Sequence, residues 1–140
     1  MFRKILLAYD GSEGANRALE VGIGLAKTHG AELWALAVQE KLPRFSGTID
    51  EVQEEKQFAN EHYGKLLEAA KVKAQEAGIE LKTLMKPGHP AQTIVALVKE
   101  GKFDLVLVGH TGLSGVWAAF LGTTAERVSR HAPCSVLIVR

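Results

Sequence analysis

Hydrophobic and polar positions along this chain follow two alternating regimes. Five short runs rich in Leu, Val and Ile predict strands: "KILLAY" (4–9), "ELWALAV" (32–38), "ELKTLM" (80–85), "DLVLVG" (104–109) and "SVLIV" (135–139). The first, fourth and fifth are almost unbroken, as in parallel strands covered on both faces, whereas the third alternates and suits an edge. Between the runs, apolar residues recur at helical spacing. One stripe is Ala15, Ala18, Leu19, Gly22, Leu25 and Ala26; a second is Ala59, Tyr63, Leu66, Leu67, Ala70, Ala74 and Ala77; a third is Ala91, Ile94, Val95 and Val98. Gly30, Gly78 and Gly101 follow these patterns, where a left-handed residue ends a helix. Ser12 is placed to cap the first helix, Asp50 with Gln53 to box the second, and Thr123 with Glu126 to box the fourth.

The order is thus β-α-β-α-β-α-β-α-β, which predicts an α/β fold: an open, doubly wound, five-stranded parallel sheet with helices on both faces, spanning 1–140 as one domain. Ligands of such sheets bind beyond the carboxyl ends of the strands, where the strand order reverses. In the order 3-2-1-4-5 that crevice lies between the first and fourth strands, where the loops "YDGSE" and "GHTGLSG" meet. The long polar connection "QEKLPRFSGTID" (39–50) reads as a flap beside it.

Composition narrows the picture. The 140 residues carry a formal charge of +1, which gives no electrostatic case for nucleic acid or an anionic membrane. No apolar run is long enough to span a bilayer. The start, "MFRKILLAYDGSE", lacks a small-residue cleavage site and reads as a strand rather than a signal peptide. A single cysteine, Cys134, provides no intrachain disulfide framework, so the cytoplasm is the expected location.

The stretch "GHTGLSGVWAAFLGTT" (109–124) holds the densest group of glycines. It is neither a P-loop nor G-x-G-x-x-G. Glycines nonetheless let backbone N–H groups converge on phosphate oxygens, and the helix starting near Thr123 adds free donors and a partial positive charge. The alternative at this level is a set of turns followed by an ordinary cap. Asp10 has two readings as well: it orients sugar hydroxyls or holds Mg²⁺ through water, or it simply begins the turn "DGSE".

Together "KILLAYDGSEGANRAL", "GHPAQTI" and "DLVLVGHTGLSG…LGTTAERVSRHAPCSVLIVR" resemble the universal stress protein family over essentially the whole chain. Gly109-x2-Gly112-x9-Gly122-Thr123 fits the G-x2-G-x9-G-[S/T] pattern of its nucleotide-binding subgroup without a gap. The resemblance implies the 3-2-1-4-5 strand order and ATP, or another adenine nucleotide, in the crevice. It places Ala8 and Tyr9 along the nucleoside, Asp10 beside ribose and phosphates, and the Val38 backbone at the adenine edge. Gly88 is a close-approach position near the base. Gly109, Gly112, Gly122, Thr123 and Thr124 form the ribose-phosphate cradle, and Val108 beside Gly109 is counted with the site. His110, inside the loop, has two readings at the residue level: it donates to a phosphate, or it is a polar loop residue. Two departures stand out: "LSGVWAAFL" holds no basic residue, and Ala125 replaces a third hydroxyl of some relatives. Charge neutralisation then falls to backbone donors and to Mg²⁺ accompanying a di- or triphosphate.

No Ser-His-Asp order, carboxylate pair or Asp cluster marks a catalytic machine, so no catalytic residue is assigned. His29, His62, His89 and His131 lack metal-ligand spacing, and no metal ligand is assigned. Cys134 reads as a small hydrophobe, Trp117 and Phe120 as packing residues, and "DEVQEEKQFANEH" as a solvated helix face. The expected function is an adenine-nucleotide-binding stress sensor or interaction module with a protein partner of unknown identity. The alternatives are a slow ATPase or phosphotransferase using the same pocket, and a nucleotide-free dimeric interaction protein. The hydrophobic strand Ser135–Arg140 falls at a sheet edge in the inferred order, which predicts a homodimer paired through it.

Overall fold

Alternation decides how each strand is shared between two cores. Ile5 and Leu7 of the first strand and Leu105 and Leu107 of the fourth enter one buried cluster; Leu6, Val106 and Val108 enter the other. Strands buried on both faces belong in the middle of a parallel sheet, and helices must then cover both sides. The computed structural model describes residues 1–40, 49–110 and 122–140, and the side chains of all these except 49–52. The elements run β1 (Lys4–Ala8), α1 (Glu13–His29), β2 (Glu32–Gln39), α2 (Ile49–Glu76), β3 (Leu81–Pro87), α3 (Pro90–Gly101), β4 (Leu105–Gly109), α4 (Thr123–His131) and β5 (Ser135–Val139). All five strands pair in parallel, in the order β3-β2-β1-β4-β5. The helices α1 and α2 pack on one face through Ala18, Leu19, Leu67 and Ala70, and α3 and α4 on the other through Ile94, Val98, Ala125 and Val128.

The pairing of β1 with β4, a hundred residues apart, is clamped at its amino end. Asp104 accepts hydrogen bonds from the Arg3 and Lys4 N–H groups at 2.8 and 3.2 Å, and its own N–H donates to the Lys4 carbonyl at 3.0 Å. The Lys4 ammonium donates to the Gly101 carbonyl at 2.7 Å and lies 4.6 Å from the Phe103 ring centroid. At the other end, β4 comes so close to α1 that a Cβ on Gly109 would stand 2.9 Å from the Gly14 carbonyl carbon.

The expected elements are all present, and several details differ. The α3 stripe buries Leu97 while Val95 is only half-buried, because two adjacent turns face the sheet and Leu97 completes them. Gly101 is not the left-handed residue after α3. It is the last helical residue, where a Cβ would come within 2.5 Å of the Phe103 ring, and Lys102 takes the left-handed conformation at φ 54°. Thr123 does not cap α4. Gly122 holds that position with extended backbone, Thr123 is the first helical residue, and Glu126 pairs with Arg130 at 2.9 Å instead of reaching back. Helix α2 already includes Ile49, so Asp50 lies in its first turn rather than at its cap. Ser12 does cap α1: its hydroxyl accepts from the Ala15 N–H at 3.1 Å. Of the flap 39–50, Gln39 ends β2 and Ile49 and Asp50 open α2, while 41–48 lie outside the described residues, as do Gly112, Gly115, Trp117 and Phe120. The fifth strand, despite its unbroken apolar sequence, is an edge strand with only Val139 fully buried. Among the described residues no helix is long and apolar enough to cross a membrane.

Two substitutions test this packing in ligand-free protein. Gly109→Ala drives a methyl into the α1 backbone and is expected to lower stability by about 1–3 kcal/mol, read from the urea midpoint. Lys102→Gly is expected to raise it by about 0.5–1 kcal/mol, the relief of left-handed strain less the entropy that glycine adds to the unfolded chain. An unchanged midpoint for the first, or a lower one for the second, contradicts the packing described.

Candidate functional site

From β1 the chain turns into α1 on one face, while β4 leads toward α4 on the other, so a gap opens between their carboxyl ends. A cleft of about 400 Å³ occupies it, and three kinds of chemistry line different parts. Ala8, Leu36, Val38, Pro90, Ile94 and Val108 form an apolar slot on the α3 side. Asp10, Ser12, Glu40 and Tyr63 form a polar rim toward α1 and α2. Gly109, Gly122, Thr123 and Thr124 bring the start of α4 to the third side.

Local hydrogen bonds shape the rim. Asp10 accepts from the Ser12 N–H at 2.9 Å, closing the turn that the sequence suggested while also lining the cleft. Tyr9 is almost wholly buried, and its hydroxyl donates to Asn16 Oδ1 at 2.6 Å, so most of this side chain serves the core. Burial, and then the Asp10 charge, hold the Tyr9 hydroxyl above the usual phenol range. The Tyr63 hydroxyl is also pushed up, first by burial and then by the charges of Glu40 and Asp10.

On the α4 side, extended backbone at Gly122 leaves the first N–H groups of the helix facing the cleft end, with no cap hydroxyl competing for them. The His110 N–H donates to the Val139 carbonyl at 2.7 Å and its carbonyl accepts from the Gly122 N–H at 2.8 Å, which ties β5, the end of β4 and the start of α4 together. A smaller cavity of about 160 Å³ continues past Thr123 and Thr124 and is lined by Glu40, His89, Gln92 and Arg127. The Arg127 guanidinium brings a cation to a region whose preceding loop has none.

Of the sequence-derived site residues, Ala8, Tyr9, Asp10, Val38, Val108, Gly109, Gly122, Thr123 and Thr124 line the cleft together. Gly112 lies outside the described residues. His110 and Gly88 do not line the cleft. The His110 residue is buried beneath it, and Gly88, at φ 137°, donates its N–H to the Gln39 carbonyl at 3.0 Å and ties the ends of β2 and β3. Sequence reasoning did not single out Leu36, Glu40 or Pro90 as lining, and assigned Ser12 to a helix cap and Ala15, Tyr63 and Ile94 to apolar stripes. A periodic pattern reports that a residue faces the sheet; it carries no signal that the residue sits where the sheet ends. Among the described residues, no group of three or more His, Cys, Asp or Glu side chains could hold a metal ion.

This geometry can be set beside known proteins. The family model described as the universal stress protein family matches residues 1–140. Universal stress protein YxiE of Bacillus subtilis is 37% identical over 148 aligned positions, which span the whole of both chains. Among solved structures, universal stress protein UspA from Lactobacillus plantarum superposes with a TM-score of 0.89 at 27% identity, covering 99% of this chain and 98% of that one. A universal stress protein solved in complex with cAMP superposes at 0.77 with 26% identity, covering 99% of this chain and 97% of that one. Matched from end to end in sequence and in fold, the chain belongs to the universal stress protein family.

Proposed function

We propose that this protein binds an adenine nucleotide, ATP, ADP or AMP, in the cleft between β1 and β4, and acts in the cytoplasm as a sensor or interaction module of the stress response. The observation that carries this reading is the sorting of chemistry within one cleft. The apolar slot beside Val38 suits a flat base, the Asp10 rim suits sugar hydroxyls, and the start of α4 suits phosphate. The relative bound to cAMP supports the same ligand class. Gly88, near the base, and His110 complete the proposed set from the neighbouring turns, together with Gly112, which the family pattern assigns to the phosphates.

Mg²⁺ fits a di- or triphosphate here. It is typically held by one or two carboxylates together with phosphate oxygens and water, and Asp10 and Glu40 are the carboxylates lining the cleft. Bound, it would neutralise phosphate charge on a path that has no Lys or Arg between Gly112 and Gly122.

We further propose a homodimer through β5. This strand pairs with β4 on one side only, leaves its outer backbone groups without a strand partner among the described residues, and exposes 37% of Leu137. Pairing with a second copy across a two-fold axis satisfies that edge and closes the assembly.

Three outcomes are expected. Nucleotide at about 100 times its Kd adds roughly 2.7 kcal/mol of stability, visible as a rise in Tm; protein shown to be nucleotide-free whose Tm does not move with millimolar AMP, or with ATP and Mg²⁺, does not bind in this way. Thr124→Val removes a hydroxyl at the phosphate end, so AMP affinity falls roughly two- to tenfold in titration calorimetry while adenosine affinity holds. Equal losses for both ligands would place the phosphate elsewhere. Light scattering at micromolar concentration gives twice the chain mass, and a monomer mass refutes the β5 pairing.

A further inference from the structure

The wall contributed by α2 lies outside every motif in the strand-to-helix loops. Asn60, Tyr63 and Leu66 are spaced three residues apart and descend from α2 onto the carboxyl end of the sheet. Asn60 accepts from Gln39 Nε2 at 2.5 Å at the end of β2. Leu66 covers the turn after β1 so closely that a Cβ on Gly11 would stand 2.7 Å from its Cδ2. These two contacts fix the helix over the cleft and set the half-buried Tyr63 between them, on the lining.

The two tyrosines near the cleft differ in one respect. The Tyr9 hydroxyl is satisfied by Asn16, whereas the Tyr63 hydroxyl has no hydrogen-bond partner among the described residues. Two carboxylates, Asp10 and Glu40, line the same cleft. An ionised carboxylate only accepts, and a phenol both donates and accepts. In the absence of a cation, phosphate suits such a compartment poorly, because two negative charges oppose it, and in a nucleotide bound without Mg²⁺ it falls to the start of α4. A neutral group bearing adjacent hydroxyls suits the compartment well: its O–H groups donate to the carboxylates, and its oxygen accepts from the phenol.

We propose that Tyr63 is a specificity-determining residue whose hydroxyl, with Asp10 and Glu40, reads the sugar hydroxyls of the bound nucleotide and selects ribonucleotides over deoxyribonucleotides. The inference rests on the nucleotide-binding reading above and adds to it a residue from α2. A phenol is protonated at neutral pH, and burial and the neighbouring carboxylates push it further up, so it is available as a donor.

Titration calorimetry with AMP, 2′-deoxy-AMP and 3′-deoxy-AMP tests this on the intact protein and on Tyr63→Phe, which keeps the packed ring. The unmodified protein is expected to bind AMP roughly three- to tenfold more tightly than at least one deoxy form, the range of one neutral hydrogen bond. In Tyr63→Phe that preference narrows through weaker AMP binding, while affinity for the disfavoured deoxy form stays at its original value. Equal affinities for all three ligands in the unmodified protein would overturn the proposal. So would a Tyr63→Phe variant that weakens every ligand by the same factor, since the ring would then be only a wall. If the unmodified protein bound none of the three, the nucleotide reading itself would fail, which separates that failure from the loss of sugar selectivity alone.

Discussion

The parallel contact between β1 and β4 is the constraint on which the remaining architecture depends. It joins segments a hundred residues apart, with Ile5, Leu6 and Leu7 opposite Leu105, Val106 and Leu107, all buried. Such a pairing gains little from local propensity and must be held by burial on both faces, at roughly 1.5–3 kcal/mol for each large side chain removed from water. Asp104 sets its register from the amino end by taking both the Arg3 and Lys4 N–H groups. Because chain direction and crossover handedness are shared, the two strands send their following helices to opposite faces. The cleft is the geometric result of that divergence.

A site formed in this way draws its chemistry from segments that have no contact in the chain. The apolar slot comes from strand ends and α3, the polar rim from the turn after β1, the end of β2 and one residue of α2, and the third side from the start of α4. Each part also has a structural duty. Asp10 closes a turn and Gly109 permits α1 to approach, and just below the lining the backbone of His110 joins β5 to the start of α4. Cleft shape and fold stability are therefore coupled at these positions. Thr124 and Tyr63 are better probes of binding, since the tip of each side chain can be altered while its packed body is kept.

The opposite end of the sheet shows what a purely structural cluster looks like. Lys4 and Lys82 flank the Trp34 ring with their ammonium groups 5.4 and 5.3 Å from its centroid, Trp34 meets Phe103 edge-on, and Lys82 pairs with Glu32 at 2.5 Å. The cations there lie over aromatic faces and one of them pairs with Glu32, although the buried Trp34 Nε1–H has no hydrogen-bond partner among the described residues. The cleft differs in leaving a phenol, two carboxylates and a helix start turned toward open space.

The element order, the parallel sheet and an opening at the first-strand and fourth-strand loops were legible in the residues alone, because period-2 and period-3.6 patterning and glycine spacing are local signals. The ends of elements were less legible. Gly101 looked like a helix terminator, yet its missing side chain answers to the Phe103 ring, and Lys102 bears the left-handed turn instead. Thr123 looked like a cap, yet Glu126 prefers Arg130 and leaves Gly122 at that position. Tyr63 and Ile94 carried a periodic signal for burial that is the same for a core residue and for a cleft wall. What the sequence by itself determined is the set of elements and the turn chemistry between them; only the tertiary structure decided which helix faces close over the strand ends, because that depends on where long-range burial sets each helix along the sheet.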